Sequence, residues 1–116
     1  MSKFIVRGGN KLDGEVSVHG AKNAILPILA ATLLNQGESV IHNCPRLHDV
    51  FASVNILEHL GCEVKWEGES TLRVKSHNVV TYSVPNNLMS EMRSSIIFLG
   101  AILARCGQAV MSYPGG

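Results

Sequence analysis

At 116 residues the chain is long enough for one domain, or part of one, with a core that needs neither disulfide nor metal to hold it. Ten basic and nine acidic residues leave a net charge of +1. They are scattered with no run of one sign, which excludes a global pull towards nucleic acid or an anionic membrane surface. Any anion binding must be local.

Cys44, Cys62 and Cys106 are odd in number and widely spaced, with no Cys-x-x-Cys pair. That spacing argues against a zinc site or a disulfide framework and points to packing thiols in a reducing compartment. The histidines make no His-x-His or His-Glu-x-x-His spacing, so no metal is expected. The opening Met1-Ser2-Lys3 lacks the apolar stretch of a secretory signal. The longest apolar run, residues 24–34, is too short to span a bilayer. A cytoplasmic location with no membrane partner is expected.

In chain order, residues 4–7 and 15–19 read as two short strands around a Gly-Gly-Asn turn, with Val16 and Val18 on one face. A first helix is expected over 23–34, with Asn23 as N-cap, Pro27 within or just past the first turn, and Gly37 as the stop. Residues 38–43 predict a strand. A second helix over 47–60 carries Leu47, Val50, Phe51, Val54, Leu57 and Leu60 on one stripe, and Gly61 ends it. Residues 62–76 predict a hairpin, with Val64 and Trp66 alternating on one arm, Leu72 and Val74 on the other, and Gly68 at the turn. A weaker strand follows at 79–84. A third helix is predicted over 90–105, closed by Gly107, and residues 108–113 give the last strand before Pro114-Gly115-Gly116.

A shift of 70 residues lays Leu29, Ala31, Leu33, Gly37 and Val40 onto Leu99, Ala101, Leu103, Gly107 and Val110. Three times a helix stops at glycine and a strand begins three residues later. This predicts an α/β domain assembled from similar units. The first and third helices are apolar nearly all round, so burial on every side is expected. Such helices need more covering layers than 116 residues supply, which suggests part of something larger.

Lys22 and Arg93 each stand at the start of one of these apolar helices. A cation beside free helix N–H groups is unfavourable by about 0.3–1 kcal/mol. A bound oxyanion would offset that cost, because it meets a side-chain charge and a helix N-terminus together. The alternative is that both cations snorkel to solvent or pair with Glu91 or Asp49. Other candidates point to structure rather than chemistry. His48 with Asp49 reads as a polar helix start, and Gly8-Gly9-Asn10-Lys11 lacks the order of a phosphate-binding loop. Arg73, Lys75 and Trp66 read as a solvated strand surface rather than a nucleic-acid face.

The stretch from Arg7 to Leu34, above all Gly20-Ala21-Lys22-Asn23-Ala24-Ile25-Leu26-Pro27, resembles the start of the UDP-N-acetylglucosamine 1-carboxyvinyltransferase family of enolpyruvyl transferases. Residues 99–116 resemble the segment leading into that family's catalytic loop. The sister family that makes 5-enolpyruvylshikimate 3-phosphate shares the fold and a lysine near this point. There serine typically follows the lysine, so Asn23 favours the sugar-nucleotide family.

The resemblance implies part of an inside-out α/β barrel built from repeated units with buried parallel helices. Residues 1–21 would pack with a C-terminal domain, and 22–116 would form the first half of the N-terminal domain. The implied reaction moves the enolpyruvyl group of phosphoenolpyruvate to the 3′-hydroxyl of UDP-N-acetylglucosamine and releases phosphate, the first committed step of peptidoglycan synthesis. It runs by addition and elimination and needs no metal or cofactor. Carried over by position, Lys22 and Asn23 match the phosphoenolpyruvate-contacting pair, with Lys22 catalytic, and Arg93 matches a UDP-N-acetylglucosamine contact.

Two departures stand out. Met92-Arg93-Ser94-Ser95 replaces the usual Met-Arg-Ala-Ser, and the family's catalytic cysteine or aspartate follows the Pro-Gly-Gly, beyond Gly116. Cys106 is not its counterpart. The chain alone is accordingly expected to be inactive. From the residues alone, a non-catalytic anion- or nucleotide-sugar-binding module and a purely structural repeat domain stay open.

Overall fold

The computed structural model of the chain describes residues 3, 5, 7–9, 15 and 22–111, without the side chains of Lys22, Arg93 and Ser94. The strands expected at 4–7 and 15–19 and the Pro-Gly-Gly segment lie almost wholly outside the described residues.

The best-formed unit runs β1 (Glu38–Ile41), α2 (His48–Leu60), β2 (Glu63–Glu67), β3 (Thr71–Lys75), preceded by α1 (Lys22–Ala31). The sheet order is β1-β3-β2, antiparallel at both seams, so β3 is central. The alternation read from the sequence sets the register. Val64 faces Val74 and Trp66 faces Leu72 across one seam, and Ile41 faces Leu72 across the other. Leu72 and Val74 are completely buried. The opposite face carries Glu38, Glu63, Lys65, Glu67, Arg73 and Lys75. There Arg73 forms ion pairs with Glu67 (2.7 Å) and Glu38.

Helix α2 is buried on more of its circumference than a single stripe. Val50, Ala52, Ser53, Val54, Ile56, Leu57 and Leu60 are buried, whereas the expected stripe members Leu47 and Phe51 stay 38% and 40% exposed. The reason is that α2 packs against α1 as well as against β2 and β4. The loop before α2 is tied to the hairpin turn by Arg46. Its Nε donates to the Glu69 carbonyl (2.9 Å) and its Nη2 to that of Gly68 (3.1 Å), with the guanidinium 4.2 Å over the Trp66 ring.

Helix α1 begins at Lys22, so Asn23 lies inside it rather than capping it, and Pro27 falls in the second turn. Lacking an N–H, Pro27 leaves the Asn23 carbonyl without its helical donor. A 3₁₀ turn, Thr32–Leu34, extends α1. Gly37 does not end it. Asn35 does: its Oδ1 accepts from the Gly37 N–H (3.2 Å), while its Nδ2 donates to the Glu38 carbonyl and the Ser39 hydroxyl (both 3.1 Å). The buried Ser76 hydroxyl donates to the Thr32 carbonyl (2.8 Å) and also touches that of Asn35.

Of the helix expected over 90–105 only α4 (Ile97–Cys106) is regular α-helix; a 3₁₀ turn (Arg93–Ile96) leads into it, and a short helix that was not expected, α3 (Asn86–Met89), precedes both. The buried Ser95 hydroxyl donates to the Met89 carbonyl (3.0 Å), a local bond that competes with continuous helix. The strand expected at 79–84 shrinks to β4 (Ser83–Val84), which pairs in parallel with β5 (Val110–Met111).

Burial also corrects the repeat register. Leu29 and Leu33 are buried, but their counterparts under the 70-residue shift, Leu99 and Leu103, are 37% and 50% exposed. One residue less brings Leu26, Leu29 and Leu33 onto the buried Ser95, Phe98 and Ile102. The repeated unit is there; its spacing is shorter by one. Nor are α1 and α4 dry all round. Ile28, Leu34, Leu99 and Leu103 form exposed apolar positions on them. Among the described residues no helix is long and apolar enough to cross a membrane.

Gly61 and Gly107 end α2 and α4 in left-handed conformations, with φ of 114° and 80°. A Cβ on Gly61 would sit 2.5 Å from the Asn78 carbonyl oxygen, whereas one on Gly107 meets nothing within 4 Å. Gly107→Ala is expected to lose about 1–2 kcal/mol from backbone strain alone. Gly61→Ala is expected to lose clearly more, read as the larger fall in urea midpoint.

Candidate functional site

Lys22 is the first residue of α1, and Arg93 opens the 3₁₀ turn that feeds α4, rather than standing in the first turn of an α-helix. The two helices lie side by side. Pro27, Ala31 and Leu34 of one and Ile97, Gly100 and Ala104 of the other line a shared apolar groove. Arg105, in the last turn of α4, donates from Nη1 to the Leu33 carbonyl at the C-terminal end of α1 (2.8 Å). That places their C-terminal ends together, so the helices run in the same direction and both begin at the same end of the pair. A guanidinium at this position also complements the partial negative charge of two helix ends at once.

At that shared end the sequence supplies three polar groups on firm anchors. Asn23 is exposed, while Ile25 and Leu26, one turn on, are buried. The first-turn N–H groups of α1 have no intrahelical acceptor, so a helix start carrying lysine and asparagine suits an oxyanion. The segment leading to Arg93 is held from below: Met89 and Met92 are buried, and the Ser53 hydroxyl lies 3.6 Å from the Met92 sulfur. It is also held from the side, where His48 Nε2 lies 3.0 Å from the Glu91 carbonyl oxygen. At the far end of α2, His59 Nε2 lies 3.1 Å from the Ser83 carbonyl oxygen.

These supports were not visible in the sequence. His48 reads there as a polar helix start, and nothing in its neighbours names a carbonyl 43 residues away. Among the described residues no group of three or more His, Cys, Asp or Glu gathers to hold a metal. Arg73, one of three cations on the hairpin with Lys65 and Lys75, is engaged by Glu67 and Glu38.

The model of the EPSP synthase (3-phosphoshikimate 1-carboxyvinyltransferase) family matches residues 6–116. The chain is 56% identical over its whole length to UDP-N-acetylglucosamine 1-carboxyvinyltransferase 2 of Caldanaerobacter subterraneus subsp. tengcongensis, covering 28% of that protein. It is 49% identical to UDP-N-acetylglucosamine 1-carboxyvinyltransferase of Methylacidiphilum infernorum, again over its whole length and covering 27% of that protein. The chain thus spans little more than a quarter of the curated relatives it matches. The crystal structure of the enolpyruvyl transferase NikO from Streptomyces tendae superposes with a TM-score of 0.72 at 26% identity, over 86% of this chain and 23% of that one.

Burial pushes the Cys62 thiol up from 9.0 to about 11, opposed by the charge of Arg105, and burial also raises Cys44. Both are buried, whereas Cys106 is half-buried. At pH 8 a thiol reagent is expected to label Cys106 well before the other two, read by mass spectrometry of timed samples. Because Cys62 keeps its proton more tightly folded than unfolded, its contribution to stability is full below pH 9 and is lost as pH rises towards 11. Urea midpoints across that range, compared with those of Cys62→Ala, read the loss.

Proposed function

The chain belongs to the EPSP synthase (3-phosphoshikimate 1-carboxyvinyltransferase) family, and we propose that it carries the Lys22, Asn23 and Arg93 side of a UDP-N-acetylglucosamine 1-carboxyvinyltransferase site. The observation that carries this reading is the end-to-end similarity, at 56% and 49% identity, to two proteins of that name. Lys22-Asn23, where the shikimate branch typically has lysine and serine, supports the sugar nucleotide over shikimate 3-phosphate as acceptor.

In the proposed reaction the 3′-hydroxyl of UDP-N-acetylglucosamine adds to C2 of phosphoenolpyruvate while C3 takes up a proton. The tetrahedral adduct then loses a C3 proton and expels phosphate, restoring the double bond. Every step keeps a phosphate or carboxylate in place. Lys22 supplies the compensating charge and Asn23 a neutral donor, and fixed donors of this kind act most strongly where water is excluded. Arg93 holds the sugar nucleotide. The cytoplasm, where phosphoenolpyruvate and nucleotide sugars are available, is the proposed location, and cell-wall synthesis the proposed process.

The apolar groove between α1 and α4 supports the same reading. Ala31, Gly100 and Ala104 in its lining are small, so a further element could approach the pair closely. In a polypeptide as long as the relatives, the remaining part of the barrel would pack there. Residues 1–21 are assigned to the C-terminal domain.

Two measurements test this. With phosphoenolpyruvate and UDP-N-acetylglucosamine, the full-length polypeptide carrying this segment is expected to release phosphate, and Lys22→Ala to lower that rate by at least about 10²–10³-fold with an unchanged circular dichroism spectrum. Unchanged turnover in Lys22→Ala removes the lysine from the mechanism. The 116-residue chain by itself is expected to release none.

A further inference from the structure

Helix α2 stands behind both halves of the proposed site. Helix α1, which begins with Lys22 and Asn23, packs against α2, and so does α3, which leads into the Arg93 segment. Between α3 and the turn that Arg93 opens, the chain makes a bend that belongs to no regular element. In it the Glu91 N–H reaches the Leu88 carbonyl at 3.3 Å, while the Glu91 carbonyl, two residues before Arg93, faces His48 Nε2 at 3.0 Å. His48 is the first residue of α2. Its ring therefore ties an irregular part of the Arg93 segment to the longest helix among the described residues, one with seven buried positions.

We infer that His48 is a positioning residue for the sugar-nucleotide contact: it donates from Nε2 to the Glu91 carbonyl and so fixes the backbone from which Arg93 reaches a nucleoside diphosphate sugar. A carbonyl only accepts, so Nε2 must carry the proton. The neutral Nε2–H tautomer and the imidazolium both meet that requirement. The task needs a donor at this reach and no titration. The inference rests on the role proposed above for Arg93 and adds what holds that residue in place. Met92 beneath the segment and the Ser95–Met89 bond keep it folded without His48. Loss of the donor should then loosen the placement of Arg93 rather than unfold the loop.

The test uses the full-length polypeptide with four forms: parent, His48→Phe, His48→Gln and Arg93→Ala, plus His48→Phe combined with Arg93→Ala. His48→Phe keeps a planar ring without a donor and is expected to raise KM for UDP-N-acetylglucosamine about 3–10-fold. The kcat and the KM for phosphoenolpyruvate should stay within about twofold of the parent, and the melting temperature close to it. His48→Gln restores a donor and should recover most of the loss, and in the Arg93→Ala background His48→Phe should add little. An unchanged KM in His48→Phe, no recovery in His48→Gln, or a full additional loss in the double variant overturns the inference. If Arg93→Ala itself leaves that KM unchanged, the role proposed for Arg93 fails, and the inference falls with it.

Discussion

Val50, Ile56, Leu57 and Leu60 of α2 have no solvent exposure at all, and each side chain of this kind contributes about 1.5–3 kcal/mol relative to the exposed state. Around that dry surface α1, β2, β4 and α3 all find their places. Towards either end of the helix His48 and His59 face the backbone carbonyls of Glu91 and Ser83, at the two ends of the stretch from β4 to the Arg93 turn. One helix thus supplies both the apolar contacts that hold the unit together and the polar contacts that set the path of its least regular stretch. Apolar burial alone would leave that path underdetermined, because it is roughly proportional to area and has no direction.

A second set of contacts works at the opposite end of the helix pair. The carbonyls of the 3₁₀ turn that finishes α1 are met by Ser76, just past β3, and by Arg105 from α4. Each joins a different neighbour to the same helix terminus. Since Arg105 lies in the last turn of its own helix, the bond also fixes how far α4 slides along α1.

Much of the fold was legible in the residues. The alternation in 63–75, the glycines at 61 and 107 and the apolar stripe of α2 each reflect a local requirement: a pleat with two faces, a left-handed stop, a face that must be dry. What was not legible was set by distant partners. Asn35 displaces Gly37 as the stop of α1 because its amide bridges to β1. The third helix starts late, at Ile97, and the Ser95 hydroxyl ahead of it is bonded to the Met89 carbonyl instead. The repeat looked 70 residues long because leucines match leucines, whereas burial pairs Leu29 with Phe98. For the site, Lys22, Asn23 and Arg93 could be named from family resemblance and from the oddity of a cation at a helix start. Their supports could not, because a histidine bonded to a backbone carbonyl leaves no mark on the sequence around that carbonyl.

The order of the sheet has a consequence for assembly. Among the described residues strand β1 pairs with β3 alone, and β3 comes last of the three in the chain. The hairpin β2–β3 is local and such hairpins close in about 1–10 μs, but the β1–β3 ladder cannot form until the segment ending at Lys75 exists. Until then the edge that β3 will cover stays open, and the two polar residues among its four, Glu38 and Ser39, make that interval less hazardous than an all-apolar strand would.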